Sequence, residues 1–125
     1  GTASRDWLYV EDDAEAIQAV IEADLAAVAG EVINVATGRD ASVSEIADLV
    51  LELCGKPDTL KEHVEERPGQ VARHIGSTER AERLLGWTAR TSLEEGLSRT
   101  VAWYRENASW VHSSVAAPAD IARTT

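Results

Sequence analysis

Arg5, Asn34, Arg67 and Arg73 are the residues of this 125-residue chain whose types and settings suit them to chemistry. Arg5 opens an aromatic, extended run, Arg5-Asp6-Trp7-Leu8-Tyr9-Val10. Arg67 stands in the rigid turn Arg67-Pro68-Gly69, and Arg73 follows it six residues on. Asn34 lies inside the β-rich run Val32-Ile33-Asn34-Val35-Ala36, where a polar amide needs a hydrogen-bond partner. A guanidinium grips phosphate through planar, paired hydrogen bonds. Two or three arginines and an amide can therefore hold a diphosphate. A plainer reading stands beside this one. Arg5 and Arg67 can serve local salt bridges, Pro68-Gly69 can be turn chemistry, and a mid-strand Asn can bond neighbouring backbone. Residue chemistry alone favours the plainer reading.

Other chemistries lack their residues. A dinucleotide fold needs a glycine-rich strand-to-helix turn that lets backbone approach pyrophosphate. Glycines occur at 1, 30, 38, 55, 69, 76, 86 and 96, and none reproduces that spacing after an N-terminal strand. No phosphate loop ends in Gly-Lys-Ser/Thr, and no Gly-x-Ser-x-Gly elbow exists. His63, His74 and His112 are far apart and have no second ligand cluster, so no metal site is expected. Cys54 is the single cysteine and lies in an apolar helical run, which predicts a buried thiol rather than a nucleophile. Trp7, Trp87, Trp103, Trp110 and Tyr104 read as core or half-buried packing rather than as ligand stacks.

The elements that must position these residues follow from local signals. An extended segment over 5–10 precedes a helix over about 13–29, in which Ile17, Val20, Ile21, Leu25 and Val28 recur at helical spacing and Gly30 is the stop. A strand is expected over 32–36, with its turn at Thr37-Gly38-Arg39-Asp40. Ser42 and Glu45 form a capping-box pattern ahead of Val43, Ile46, Leu49, Val50 and Leu53, and Gly55 and Pro57 end that helix. Residues 56–76 read as irregular, with short strands near 61–64 and 71–75. Ser77 is expected to cap a short helix carrying Ala81, Leu84 and Leu85, stopped by Gly86, with Trp87 folding back on it. Thr91 and Glu94 form a second capping-box pattern before a helix lined by Leu93, Leu97, Val101, Tyr104 and Ala108. The fold class is α/β, of an α+β-like kind, with short strands and about four helices. The tail over 113–125 is small, polar and expected to fray.

Composition narrows the classes of partner. The net charge is −10, which disfavours nonspecific attraction to nucleic acid or an anionic membrane. No run approaches the ~20 apolar residues of a membrane span. Ten of the twelve basic residues are arginine, so a local anion site remains open. A single cysteine allows no intrachain disulfide and suggests the reducing cytoplasm. The chain has no methionine, which fits a fragment or processed product.

Five segments together resemble a known family. They are Arg5-Asp6-Trp7-Leu8-Tyr9-Val10-Glu11-Asp12, Asn34-Val35-Ala36-Thr37-Gly38, Arg67-Pro68-Gly69, Leu84-Leu85-Gly86-Trp87 and Thr100-Val101-Ala102-Trp103-Tyr104. In this order the chain resembles the C-terminal part of the extended short-chain dehydrogenases/reductases, the NAD-dependent nucleotide-sugar epimerases and dehydratases. The first and last segments look most like dTDP-glucose 4,6-dehydratases. The Thr37-Gly38 turn and the helix after Ser42 look more like UDP-sugar 4-epimerases.

The resemblance implies that residues 1–112 form a C-terminal substrate-binding portion, that 113–125 are a flexible tail, and that the N-terminal Rossmann domain is absent. It implies substrate contacts for Arg5 and Arg67, which would grip the nucleotide diphosphate from two sides. Gln70 would face the nucleoside where Asp is usual in the family. Tyr9 and Asn34 would flank or support the site, and the Trp103-Tyr104 pair would anchor the last helix. NAD would serve the full-length parent, with none expected in this chain alone. Neither Tyr9, followed four residues on by Asp13, nor Tyr104, followed by Ala108, makes the family's Tyr-x-x-x-Lys pair. No catalytic residue is therefore expected here, and the chain is expected to be inactive by itself. Two other classes stay in view: a non-catalytic nucleotide-sugar binding module, and a structural or interaction fragment that forms a homodimer through an exposed sheet edge or apolar surface.

Overall fold

The computed structural model describes residues 1–65 and 68–115, with side chains as far as Val111. Its centre is a three-stranded mixed sheet in the order β2-β1-β3. β1 (Ser4–Asp6) pairs antiparallel with β2 (Asp40–Ser42), with Arg5 opposite Ala41. It pairs parallel with β3 (Arg73–His74), with Arg5 opposite His74. Both edges of β1 are thereby taken. The run 32–36 has no strand partner among the described residues, so it is not a strand despite its β-rich composition. The strand expected near 61–64 is likewise missing, and a single 3-10 turn over Asp58–Leu60 precedes that stretch. The strand expected over 71–75 contracts to β3, and the one over 5–10 contracts to β1.

The first helix starts earlier and ends sooner than its apolar spacing predicts. α1 spans Val10–Glu22, with Glu11, Asp12 and Asp13 in a first turn where negative charge favours the helix dipole. It stops because Ala23 turns extended, with φ −69° and ψ 155°. The Asp24 carboxylate then caps the short α2 (Leu25–Val28) by accepting from the Ala26 amide at 3.1 Å. The face that packs inward also differs from expectation. Asp12 and Ala16 are buried, whereas Val10, Ile17 and Ile21 are exposed at 69%, 54% and 78%.

The remaining helices follow their local signals closely. α3 spans Val43–Cys54, with both bonds of the Ser42/Glu45 capping box in place and Gly55 closing it at φ +63°. Cys54 is half-buried in its last turn. α4 spans Glu79–Leu85; its N-cap is Thr78 rather than Ser77, and Gly86 ends it at φ +63°. α5 spans Leu93–Glu106. Its cap is Ser92, whose hydroxyl accepts from the Glu95 amide, one residue beyond the expected Thr91/Glu94 pair. Both pairs have the right spacing, but Asp12 has taken the Thr91 hydroxyl and amide. α6 covers Ala108–Val115 and so makes 113–115, the first residues of the tail expected to fray, helical; residues 116–125 lie outside the described residues.

The core sits where α1 meets α4. Ala16, Ala81 and Trp87 are buried there, packed by Leu8, Ala19, Ile33, Val35, Leu85 and Ala89. The small alanines let the two helices approach closely, and the Trp87 ring fills the space that remains. Trp87 does fold back as its position after Gly86 suggests, although its buried Nε1 has no hydrogen-bond partner among the described residues. The other tryptophans depart from core packing: Trp7, Trp103 and Trp110 are 39%, 46% and 60% exposed. No described helix is long and apolar enough to cross a membrane.

Candidate functional site

β1 places Arg5 in the middle of the sheet, beside His74 on β3. Paired residues of neighbouring strands present their side chains on one face. Arg5, His74, Ser77 and the outward-facing Asn34 accordingly line a cleft of ≈ 640 Å³. Arg5 donates from Nη1 to the Ser4 carbonyl at 2.6 Å, and among the described residues no carboxylate pairs with it. Its charge therefore remains available to an anion entering the cleft.

The wall carrying Asn34 is held without a sheet ladder. Ile33 and Val35 pack inward on the Trp87 core, and the alternation turns Asn34 to the other side, where Ala36 is buried against Gly76. At one end Arg80 donates from Nη1 to the Val32 carbonyl at 2.7 Å. At the other end the Asp6 carboxylate accepts four hydrogen bonds. Its Oδ1 takes the Thr37 amide at 2.9 Å and the Thr37 hydroxyl at 2.7 Å. Its Oδ2 takes the Gly38 amide at 3.0 Å and the Gly76 amide at 3.3 Å. Gly76 has to be glycine here, because a Cβ would stand 2.5 Å from that of Ala36.

Other residues singled out in the sequence go elsewhere. Tyr9 precedes α1, and its ring packs so tightly on α5 that a Cβ on Gly96 would lie 3.1 Å from Tyr9 Cδ2. The Arg99 guanidinium lies 5.6 Å from the centre of that ring, and Glu95 holds it firmly protonated. Tyr9 thus lines a separate groove of ≈ 500 Å³ with Trp103 and Tyr104, not the Arg5 cleft. Trp103 meets Tyr104 and Trp110 edge to face, at 5.3 Å and 5.7 Å, and so joins α5 to α6. Gln70 is exposed and is not among the residues lining the Arg5 cleft. Arg67 lies outside the described residues, whereas Pro68 and Gly69 form a turn with φ +79° at the glycine. Arg73 is already engaged: its Nε and Nη2 fork onto Asp40 at 2.9 Å and 2.7 Å, and Ser4 adds its hydroxyl at 2.6 Å. The Arg73 fork, helped by Ser4, holds the Asp40 carboxyl well below the usual carboxylate range.

Sequence reasoning missed Asp6, His74 and Ser77 as members of this site. Asp6 was legible only as the neighbour of Arg5, since its partners are 31 to 70 residues away in the chain. No group of three metal-ligating side chains gathers among the described residues. The N-termini of α1, α3 and α5 do not fit a dinucleotide pyrophosphate either. Those of α3 and α5 are closed by Ser42 and Ser92, and the first turn of α1 is acidic.

Comparison with known proteins agrees with this architecture. The family model for GDP-mannose 4,6-dehydratase matches residues 1–100. The dTDP-glucose 4,6-dehydratase of Streptomyces niveus is 36% identical over 110 residues, covering 88% of this chain and 32% of that protein. The crystal structure of dTDP-glucose 4,6-dehydratase from Bacillus anthracis in complex with NAD superposes with a TM-score of 0.74 at 28% identity, over 88% of this chain and 34% of that one. The UDP-glucose 4-epimerase of Thermotoga maritima, solved with UDP-glucose, gives a TM-score of 0.73 at 34% identity, over 86% and 33%. The chain spans about a third of the length of each relative. On the family match, the shared fold and these identities, the chain belongs to the NAD-dependent nucleotide-sugar epimerase/dehydratase family.

Proposed function

We propose that this chain is the substrate-binding, C-terminal portion of a nucleotide-sugar epimerase or 4,6-dehydratase, and that it holds the nucleotide diphosphate of the sugar donor. The observation that carries this reading is Arg5, free of any carboxylate among the described residues and lining a ≈ 640 Å³ cleft together with the Asn34 amide. The cleft has room for a nucleotide, and its cation and amide match a diphosphate's oxygens. Arg67 is proposed as the second cation on the diphosphate, and Gln70, which lies outside the Arg5 cleft, as a contact to the nucleoside beyond it. Tyr9 supports the site indirectly, by packing the connection after β1 against α5.

NAD supplies hydride transfer at the sugar in this family, and no hydride step is assigned to this chain. Its own residues bind and orient. The family's proton-transferring Tyr-x-x-x-Lys pair has no counterpart among them, so the chain is inactive alone. Titration calorimetry with UDP and dTDP tests the reading. The chain binds at least one of them, and Arg5→Ala removes a charge-assisted contact worth ~1.5–3 kcal/mol, a loss of roughly ten- to hundredfold in affinity. Absence of binding in the unsubstituted chain, or binding indifferent to Arg5→Ala, overturns it. So does turnover of a nucleotide sugar by the pure chain with NAD.

A second reading adds to the first. Val10, Ile17 and Ile21 fall at i, i+7 and i+11 on the exposed side of α1, while its alanine side packs inward. An uncovered stripe of large apolar side chains beside the polar face of a helix marks an interaction surface. The occupant proposed for that face is a second copy of the chain, in a homodimer.

A further inference from the structure

We infer that Asp6 is the positioning residue of the nucleotide site: it holds the Asn34 wall in place against Arg5. This rests on the binding reading above and assigns a role that the reading leaves open. The wall is formed by residues 32–36. An extended segment is normally fixed by a ladder of amide-to-carbonyl bonds, and this one has none among the described residues. Its position is set instead by its inward side chains and by two end anchors. One is Arg80, half-exposed and also 3.4 Å from Glu31, on the Val32 carbonyl. The other is the Asp6 carboxylate on Thr37 and Gly38. Both anchors are charge-assisted, and Asp6 is the stronger because it makes three bonds to its end of the wall where Arg80 makes one. It also ties the same wall to Gly76, just beyond β3, so one carboxylate fixes both sides of the cleft that Arg5 enters. Adjacent residues of one strand thus divide the work. Arg5 meets the ligand, and Asp6 fixes the wall that meets it from the other side.

The sign of the expected effect separates this role from simple electrostatics. Asp6 carries negative charge beside a site for a diphosphate, so neutralising it should tighten binding if charge alone mattered. The positioning role requires the opposite. In Asp6→Asn the amide oxygen can still accept from Thr37, but the amide nitrogen turns a donor toward the Gly38 and Gly76 amides, and the wall loosens. UDP and dTDP are titrated into the chain and its variants. Asp6→Asn is expected to weaken binding about tenfold, and the same change made on an Asn34→Ala background to cost little further. The amide resonances of Thr37, Gly38 and Gly76 shift, whereas those of α3 and α5 stay. Should Asp6→Asn fail to fold, Arg80→Ala loosens the other anchor and is expected to weaken binding several-fold, again only while Asn34 is present. Binding by Asp6→Asn equal to or tighter than that of the unsubstituted chain overturns the inference while leaving the binding reading intact. A loss of the same size with and without Asn34 marks a merely structural effect and overturns it too. Absence of UDP and dTDP binding in the unsubstituted chain overturns the underlying reading, and the inference with it.

Discussion

At the scale of single residues, the carboxylates of this chain are as informative as its arginines. Asp12 is buried with 4% exposure and accepts from the Arg90 amide, the Thr91 amide and the Thr91 hydroxyl at 3.2, 2.9 and 3.0 Å. It joins the first turn of α1 to the lead-in of α5 across almost 80 residues of sequence. Asp12→Ala leaves these donors unpaired, and unpaired buried donors cost ~1–3 kcal/mol each before relaxation. A net loss of about 2–4 kcal/mol in urea unfolding is expected; a loss within experimental error contradicts the role. Asp40 is the case with a pH signature. Its folded-state value is depressed from the ordinary 3.8 by the Arg73 fork and the Ser4 hydroxyl. Its contribution is therefore complete above the unfolded value and is lost as pH falls through the lower, folded one. The stability difference between the unsubstituted chain and Asp40→Asn should be constant from neutral pH down to about pH 5 and shrink below about pH 4. A difference that grows with acidity contradicts this account.

At the scale of elements, what was legible in the sequence was what local chemistry decides. α3 begins at Ser42 because Ser42 and Glu45 satisfy each other's orphan groups, and it ends at Gly55 because the left-handed cap favours glycine. Gly86 and Trp87 were legible for the same reason. What escaped depended on distant partners. The run 32–36 has strand composition but pairs with no strand among the described residues, so composition alone does not decide it. β2 and β3 are two or three residues long and exist because β1 offers them edges, a fact no local window carries. Thr91 lost its capping role to Asp12, a residue 79 positions away. On α1 the large apolar residues announced the wrong face, because the close approach to α4 selects alanine. Of the candidate site, Arg5 and Asn34 share one cleft, Tyr9 lines another groove, and Asp6 emerges only in three dimensions.

At the scale of the whole molecule, the apolar side of α1 and the net charge of −10 pull in opposite directions. Burial of the Val10, Ile17 and Ile21 face favours association, whereas like charge on two copies opposes it and is screened by salt. The homodimer reading therefore predicts self-association that strengthens with salt in sedimentation velocity and is abolished by Ile17→Glu together with Ile21→Glu. A chain that sediments as a monomer at every concentration and ionic strength contradicts it.

In the proposed function, Arg5 and Arg67 share one diphosphate. The most direct measurement compares UDP with uridine, or dTDP with thymidine, across the unsubstituted chain, Arg5→Ala and Arg67→Ala. The account predicts that each substitution narrows the gap between nucleotide and nucleoside roughly tenfold or more and leaves the nucleoside affinity unchanged. A diphosphate bound equally well without Arg67, or a gap that survives the loss of Arg5, would contradict it.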